Sequence, residues 1–184
     1  LLEDFSSNGS TVGLLSGTYA LSQFAVAPLI GALSDRFGRK PIISLCVFGS
    51  VIGMGLFATT LTVPWQPIWP EAAAAGLPLA LLFLARVIDG ASGGTAATAT
   101  AVLADITTPE NRAKAFGLIG VAFGLGFVLG PGLGGLLGDV NRILPAWAAT
   151  AFAVANLIVV LGLLPETHPI NARKQLPRRR ELNP

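Results

Sequence analysis

The 184-residue chain is 52% hydrophobic and only 12% charged, with a mean hydropathy of +0.67. This composition leaves too little polar surface to cover a soluble globule of this size. The composition therefore excludes an ordinary soluble domain and predicts an integral membrane protein. The net charge of +2 indicates no class of partner by itself.

Five apolar segments are long enough to cross the hydrocarbon core as helices, which requires about 20 residues each. Four of them contain no Asp, Glu, Lys or Arg, and the third contains only two. Continuous apolar runs satisfy their backbone hydrogen bonds most simply as helices. We therefore predict an all-α polytopic helical bundle with spans at about 13–33, 42–63, 77–103, 116–138 and 146–164.

The basic residues fall in every second connection between these spans. If the spans alternate, ten bases lie on one side of the membrane and one, Arg142, lies on the other. The excess of bases on the inner side predicts that the N-terminus faces outside and the C-terminus faces the cytoplasm. The ten bases are Arg36, Arg39, Lys40, Arg112, Lys114, Arg173, Lys174, Arg178, Arg179 and Arg180.

Span one contains the polar residue Gln23 and leads into the charged segment GALSDRFGRK at residues 31–40. Gln23 donates and accepts hydrogen bonds without carrying charge, which suits either a solute-facing wall or a hydrogen bond between helices. In the charged segment, Gly38 suits a tight reversal of the chain. Asp35 lies just ahead of the next helix, where it could cap the first turn or face the positive end of another helix.

Span three carries Arg86 and Asp89 within the predicted membrane. At about 1.5 Å per residue, Arg86 lies roughly 14 Å from Leu77, near the midplane, where a charge is costly unless it faces protein or water. Because the two residues lie three apart, one interpretation is a mutually neutralised pair that only makes insertion tolerable. We favour the other, in which Arg86 lines a path for a solute or protons and Asp89 shares or tunes its charge.

Span four is rich in glycine, with Gly126, Gly130, Gly134 and Gly138 at every fourth position and Pro131 near the middle. This spacing lets helix backbones approach closely, and a central proline bends or hinges a helix. Ordinary tight packing and a helix that rocks against its neighbours both remain open. Shorter repeats of the same kind predict close packing at Gly13 and Gly17, Gly49 and Gly53, and Gly90 and Gly94.

No catalytic constellation is found in the sequence. His168, the only histidine, lies in the tail, and neither paired acids nor Cys/His spacing occurs. We therefore predict no enzyme, no metal site and no cofactor. Nucleic acid is not an expected partner either, because membrane topology already explains the basic tail.

Three segments, in order, resemble motifs of the major facilitator superfamily of secondary transporters. GALSDRFGRK is similar to the motif between the second and third transmembrane helices, ARVIDGASGG to the fourth-helix motif, and GFVLGPGLGG to the fifth-helix antiporter motif. The matching residues are Gly31, Asp35, Arg36, Gly38, Arg39 and Lys40, then Arg86 and Gly90, and finally Gly126, Gly130, Pro131, Gly134 and Gly135.

Further segments, among them VLADIT and LLPETH, are similar to the tetracycline-efflux branch of this superfamily. The resemblance implies that residues 1–164 supply helices two to six of an N-terminal six-helix half. It also implies that 165–184 form a basic cytoplasmic tail or the start of a central loop.

The same resemblance implies roles for individual residues. Gln23 matches a substrate-pocket glutamine, Asp35 and Arg39 match loop residues of a conformational switch, and Asp105 matches an acidic partner of the basic loop. Two positions depart from the branch: Gly53 stands where these pumps carry an intramembrane aspartate, and Asp89 stands where they carry a small residue.

The implied function is proton-coupled efflux of a small amphipathic compound or drug by alternating access, in a bacterial inner membrane. The implied partners are the solute, protons, the bilayer and the C-terminal half of the same chain, and the proton gradient is the energy source. We expect the five spans to be inactive alone. A facilitator or importer of the same superfamily and a non-transporting remnant are the alternatives.

Overall fold

The computed structural model describes residues 9–74 and 76–168, which form α-helices and one short 3-10 helix and contain no strand. The prediction of an all-α fold is confirmed. The five tail bases from Arg173 to Arg180 lie outside the described residues. The helices are α1 (Gly9–Phe37), α2 (Arg39–Thr62), α3 (Trp65–Ile68), α4 (Pro70–Ala74), α5 (Leu77–Ala91), α6 (Thr95–Ile106), α7 (Arg112–Val140) and α8 (Leu144–Leu163).

Five stretches of the described chain are long and apolar enough to cross a membrane. They overlap all five predicted spans and extend several of them, because polar residues at the span ends continue the helices. The stretches are Gly9–Phe37, Arg39–Thr62, Leu77–Ile106, Pro109–Val140 and Leu144–Leu163.

The third stretch is interrupted by a turn at residues 92–94, between α5 and α6. The N–H of Gly93 donates to the carbonyl of Gly90 at 2.9 Å, and regular helical bonding resumes where Thr98 donates to Gly94. Two adjacent glycines favour this interruption, since glycine is a weak helix former. The span predicted as one helix is therefore two.

Helix α2 occupies the centre of the bundle and packs against α1, α5, α6 and α8. One apolar cluster joins Ile43 and Val47 of α2 to Val102 of α6 and Val160 of α8. Helix α7 packs mainly on α8, and none of its residues is buried within the described structure. The core therefore lies around α2, and α7 lies at its margin.

Close helix packing occurs at only some of the predicted glycines. A Cβ atom added to Gly53 would lie 2.8 Å from Asp89 Cβ, and one added to Gly90 would lie 2.9 Å from Ser22 Cβ. At Gly13 and Gly17, in contrast, nothing in the described structure lies within 4 Å of an added Cβ. The prediction of close packing is therefore confirmed between α5 and its neighbours, whereas Gly13 and Gly17 make no such contact among the described residues.

The glycines of the antiporter motif in α7 have no close neighbour within the described residues. Nothing lies within 4 Å of a Cβ added at the four glycines of the antiporter motif. The helix also continues through Pro131 without interruption. Ordinary tight packing within the described bundle therefore does not explain this motif, whose glycines are Gly126, Gly130, Gly134 and Gly135.

Candidate functional site

Arg39, the first residue of α2, is the centre of a polar cluster at one end of the bundle. Its Nη1 donates to Asp35 Oδ1 at 2.6 Å and to Ser34 Oγ at 2.7 Å, and its Nε donates to Asp105 Oδ2 at 3.0 Å. Arg39 is only 8% exposed. One guanidinium thus joins two carboxylates, from α1 and α6, that would otherwise repel each other.

A third carboxylate reaches the same arginine from the segment after α8. Glu166 Oε1 accepts a hydrogen bond from the backbone N–H of Arg39 at 2.9 Å. The first N–H groups of a helix have no partner within the helix, and its positive end favours an anion. Since Gly38 supplies no side-chain cap to α2, Glu166 performs that role from 127 positions away. We call Ser34, Asp35, Arg39, Asp105 and Glu166 the Arg39 cluster.

Asp35, Arg39 and Asp105 were expected to act together, whereas the role of Glu166 was not predicted. The contact of Asp105 with the loop, implied by resemblance, is present, whereas Asp35 bonds the Arg39 side chain and does not cap α2. One signal for Glu166 was available in the sequence. Glu166 follows span five, which ends on the same side of the predicted bundle as the loop after span one. Its carboxylate was therefore within reach of that loop.

The remaining residues of the loop motif shape the connection between α1 and α2. Gly38 has a φ of +107°, a conformation that a side chain would strain, and it allows the reversal. Lys40 Nζ donates to the carbonyl of Leu161 at 3.0 Å, and the Arg36 guanidinium lies over the Phe37 ring. The carbonyl of Gly31 accepts from Ser34 Oγ at 2.8 Å. The motif therefore holds α1, α2 and α8 together.

A second charged site lies within α5, where Arg86 Nη1 and Asp89 Oδ2 are 3.8 Å apart. The Asp89 side chain is 5% exposed and that of Arg86 is 17% exposed. The guanidinium lies 4.3 Å from the centroid of the Phe57 ring, and its Nη2 lies 3.5 Å from Met54 Sδ. The pairing suggested by the sequence spacing is therefore present as a loose ion pair, here called the Arg86 site.

Gln23 contacts the turn between α5 and α6. Its Nε2 donates to the carbonyl of Gly93 at 3.1 Å. A Cβ added to Gly93 would lie 2.8 Å from that nitrogen, so the glycine leaves room for the amide. Of the two interpretations of Gln23, the structure shows the hydrogen bond between helices.

We expect replacement of Gln23 by leucine to lower the melting temperature of the detergent-purified protein. The change leaves the partly buried Gly93 carbonyl without its donor, at a cost of about 1 kcal/mol. Thermal unfolding followed by tryptophan fluorescence measures the change. Gln66→Leu, at an exposed position between α2 and α5, is the control and should melt with the wild type. Equal melting of Gln23→Leu and wild type would contradict the assigned role.

Within the described part of the chain, no group of three or more His, Cys, Asp or Glu side chains is placed to hold a metal ion.

Five apolar membrane-length stretches, with a charged cluster at one end and an ion pair within the third, define a multi-pass α-helical membrane protein. The profile of the Major Facilitator Superfamily matches residues 1–182. The chain belongs to this family of transporters.

Its relatives include drug-resistance and organic-anion transporters. The tetracycline resistance protein, class C, of Escherichia coli is 39% identical over 170 residues, which cover 92% of this chain and 39% of that protein. Major facilitator superfamily domain-containing protein 10 of Bos taurus is 40% identical over 161 residues, covering 88% of this chain and 31% of that protein. The crystal structure of the human organic anion transporter MFSD10 (TETRAN) has a TM-score of 0.72 and 34% identity, covering 88% of this chain and 33% of that one. The chain thus spans less than two fifths of these relatives.

Proposed function

We propose that this chain is part of a secondary transporter that exports a small amphipathic compound in exchange for protons, by alternating access. The observation that carries the proposal is the Arg39 cluster. Arg39 is the shared partner of carboxylates from α1, α6 and the segment after α8. Ionic contacts of this kind break and re-form without exposing the apolar core, which is what a carrier requires at the end of the bundle that opens and closes.

Each motif has a role in this proposal. The Arg39 cluster and its loop hold the cytoplasmic helix ends in one state and release them in the other. Gln23, Arg86 and Asp89 lie along the path of the solute or of the protons. The antiporter-motif glycines of α7, with Pro131, belong to a helix that moves against the remaining part of the carrier. Resistance to tetracyclines in several relatives supports export of a drug-like compound.

The proposed location is the plasma membrane, which in a bacterium is the inner membrane. The N-terminus of the chain lies outside and the C-terminus lies in the cytoplasm. The distribution of basic residues supports this orientation. Residues 1–164 supply five helices of the N-terminal half, and 165–184 lead into a tail or central loop. The C-terminal half of the same protein is the proposed partner, and the proton gradient supplies the energy.

An importer or facilitator is the second candidate. It is favoured by the likeness to a human protein that is described as an organic anion transporter, without reference to export. The direction of proton movement distinguishes the two candidates. Efflux by exchange moves protons in the direction opposite to the solute. A proton-coupled importer moves them in the same direction as the solute, and a facilitator moves no protons.

The proposal is tested with inverted membrane vesicles that contain the product of the complete reading frame. After respiration acidifies the interior, a panel of amphipathic drugs is added and proton release is followed with a pH-sensitive dye. We expect at least one drug to release protons, and Asp35→Asn to reduce that release to background. This variant loses the charge that Arg39 Nη1 binds at 2.6 Å.

The matched control is Glu71→Gln, which removes the same charge at an exposed position of α4. It should release protons like the wild type, and immunoblots of the membranes should show equal insertion of all three proteins. Full proton release by Asp35→Asn, or no release by the wild type with any drug, would count against the proposal.

A further inference from the structure

One buried atom of each charged group of the Arg86 site, Arg86 Nε and Asp89 Oδ2, lacks a hydrogen-bond partner among the described residues. A guanidinium carries five N–H donors, yet Arg86 Nε has no partner among the described residues, and Nη2 meets only the weak acceptor Met54 Sδ. Asp89 Oδ2 is also buried without a donor. The distance of 3.8 Å between Nη1 and Oδ2 exceeds that of a hydrogen bond. A donor and an acceptor thus remain unused side by side.

Backbone packing holds this pair in place. A Cβ added to Gly53 would lie 2.8 Å from Asp89 Cβ and 2.9 Å from Asp89 N, so α2 and α5 are already in contact at this point. Phe57 covers the guanidinium from the same helix α2. The Ser50 hydroxyl also faces the Asp89 carboxylate, and Tyr19 of α1 lies within electrostatic range of both charges. The two unused atoms therefore lie where α1, α2 and α5 meet.

The net charge of the pair limits which solutes suit it. The pair sums to zero, so a singly charged solute would leave one uncompensated charge in a region of low dielectric constant, which is costly. A head group with one positive and one negative charge would leave the sum at zero. It would also supply an acceptor to the arginine and a donor to the aspartate.

We propose that the Arg86 site is a subsite for the head group of a zwitterionic amphiphile. Arg86 Nε binds the anionic atom of the solute, Asp89 Oδ2 binds the cationic atom, and Phe57 and Met54 contact its apolar part. This proposal rests on the proposed function, because the subsite takes the solute that the carrier moves. Asp89 acts as the specificity-determining residue, since it cancels the charge that would otherwise select simple anions.

The test compares three probes that share one naphthyl group and differ in the charge of the head group. Naphthylalanine is zwitterionic, naphthylpropionate is anionic and naphthylpropylamine is cationic. Their equilibrium affinities are measured by calorimetry on the product of the complete reading frame, purified in detergent. We expect wild-type protein to bind naphthylalanine about tenfold more tightly than either other probe, the value of one hydrogen bond to a charged group.

Charge-neutralising variants should change this order in opposite directions. Asp89→Asn leaves the site positive and should make naphthylpropionate the preferred probe, whereas Arg86→Gln leaves it negative and should favour naphthylpropylamine. Glu71→Gln and Arg112→Gln remove the same charges at exposed positions and should keep the wild-type order. Cooperative thermal unfolding shows which variants are folded. The wild-type order needs no variant and decides the proposal alone if a variant does not fold.

Three results overturn the proposal of a subsite for zwitterionic solutes. Wild-type preference for the anion or the cation overturns it, as does absence of binding by all three probes or an unchanged order in folded Asp89→Asn and Arg86→Gln. Because binding in detergent needs no proton gradient, the two proposals fail separately. Zwitterion selectivity without drug-dependent proton release supports the subsite and overturns the exchange, and proton release without selectivity overturns the subsite alone.

Discussion

Replacement of Arg39 by glutamine is expected to destabilise the protein and to abolish proton exchange. The change leaves Asp35 and Asp105 without their common counter-charge, and their mutual repulsion then separates α1 from α6. Removing one partner of a fully buried pair costs about 3–5 kcal/mol. Because the two carboxylate side chains are 36% and 26% exposed, water screens part of this repulsion, and we expect about 2–3 kcal/mol. Thermal unfolding in detergent and proton release from vesicles measure the two effects.

Two further variants separate the loss of charge from the loss of geometry. Arg39→Lys keeps the charge but lacks the planar fork that reaches both carboxylates, so its melting temperature should fall between those of Arg39→Gln and wild type. Adding Asp105→Asn to Arg39→Gln removes one of the repelling charges and should recover part of the lost stability. Arg112→Gln, an exposed base, is the control. Identical melting of Arg39→Gln and Arg112→Gln would show that the cluster does not stabilise the fold.

Replacement of Gly90 by alanine should separate α1 from α5. The added methyl group would meet the backbone carbonyl of Tyr19 and lie 2.9 Å from Ser22 Cβ. Because one obstacle is backbone, no side-chain rotation relieves the clash, and overpacking of this kind costs about 1–3 kcal/mol. We expect a lower melting temperature, measured by thermal unfolding in detergent, and reduced proton release from vesicles.

Gly17→Ala is the matched control for this change. Gly17 lies in α1, and nothing in the described structure lies within 4 Å of an added Cβ. Since alanine favours a helix over glycine by up to about 1 kcal/mol, this variant should melt at or above the wild-type temperature. If both variants melted alike, the contact between α1 and α5 would not depend on Gly90.

The features predicted from the sequence are those that depend on composition or on spacing within one helix. Hydropathy located the five spans because each span must be apolar along its own length and must satisfy its own backbone hydrogen bonds in the bilayer. The pairing of Arg86 with Asp89 followed from a separation of three residues. The contact of Arg39 with Asp105 was available only through resemblance, because 66 positions separate the two residues.

Other features depend on partners that local patterns do not specify. The same glycine spacing occurs in α1, at the end of α5 and in α7, yet close packing is found at Gly90 and not at Gly17 or Gly134. Which glycine meets a neighbouring helix depends on how the helices pack, and at Gly90 that neighbour is α1. Glu166 illustrates the same point, since capping of α2 from beyond α8 requires α8 to be packed against α2.

The Arg39 cluster also has a mechanical consequence. It ties the end of α1, the start of α2, the end of α6 and the segment after α8 to one residue, so a rotation of any one of these helices displaces the others. We expect them to move together until an ionic contact breaks. Helix α7 contributes no residue to the cluster, and in the described structure it is held mainly by α8. We therefore expect the stiffness of the described bundle to be uneven, with α7 as the long helix that moves most easily relative to the others.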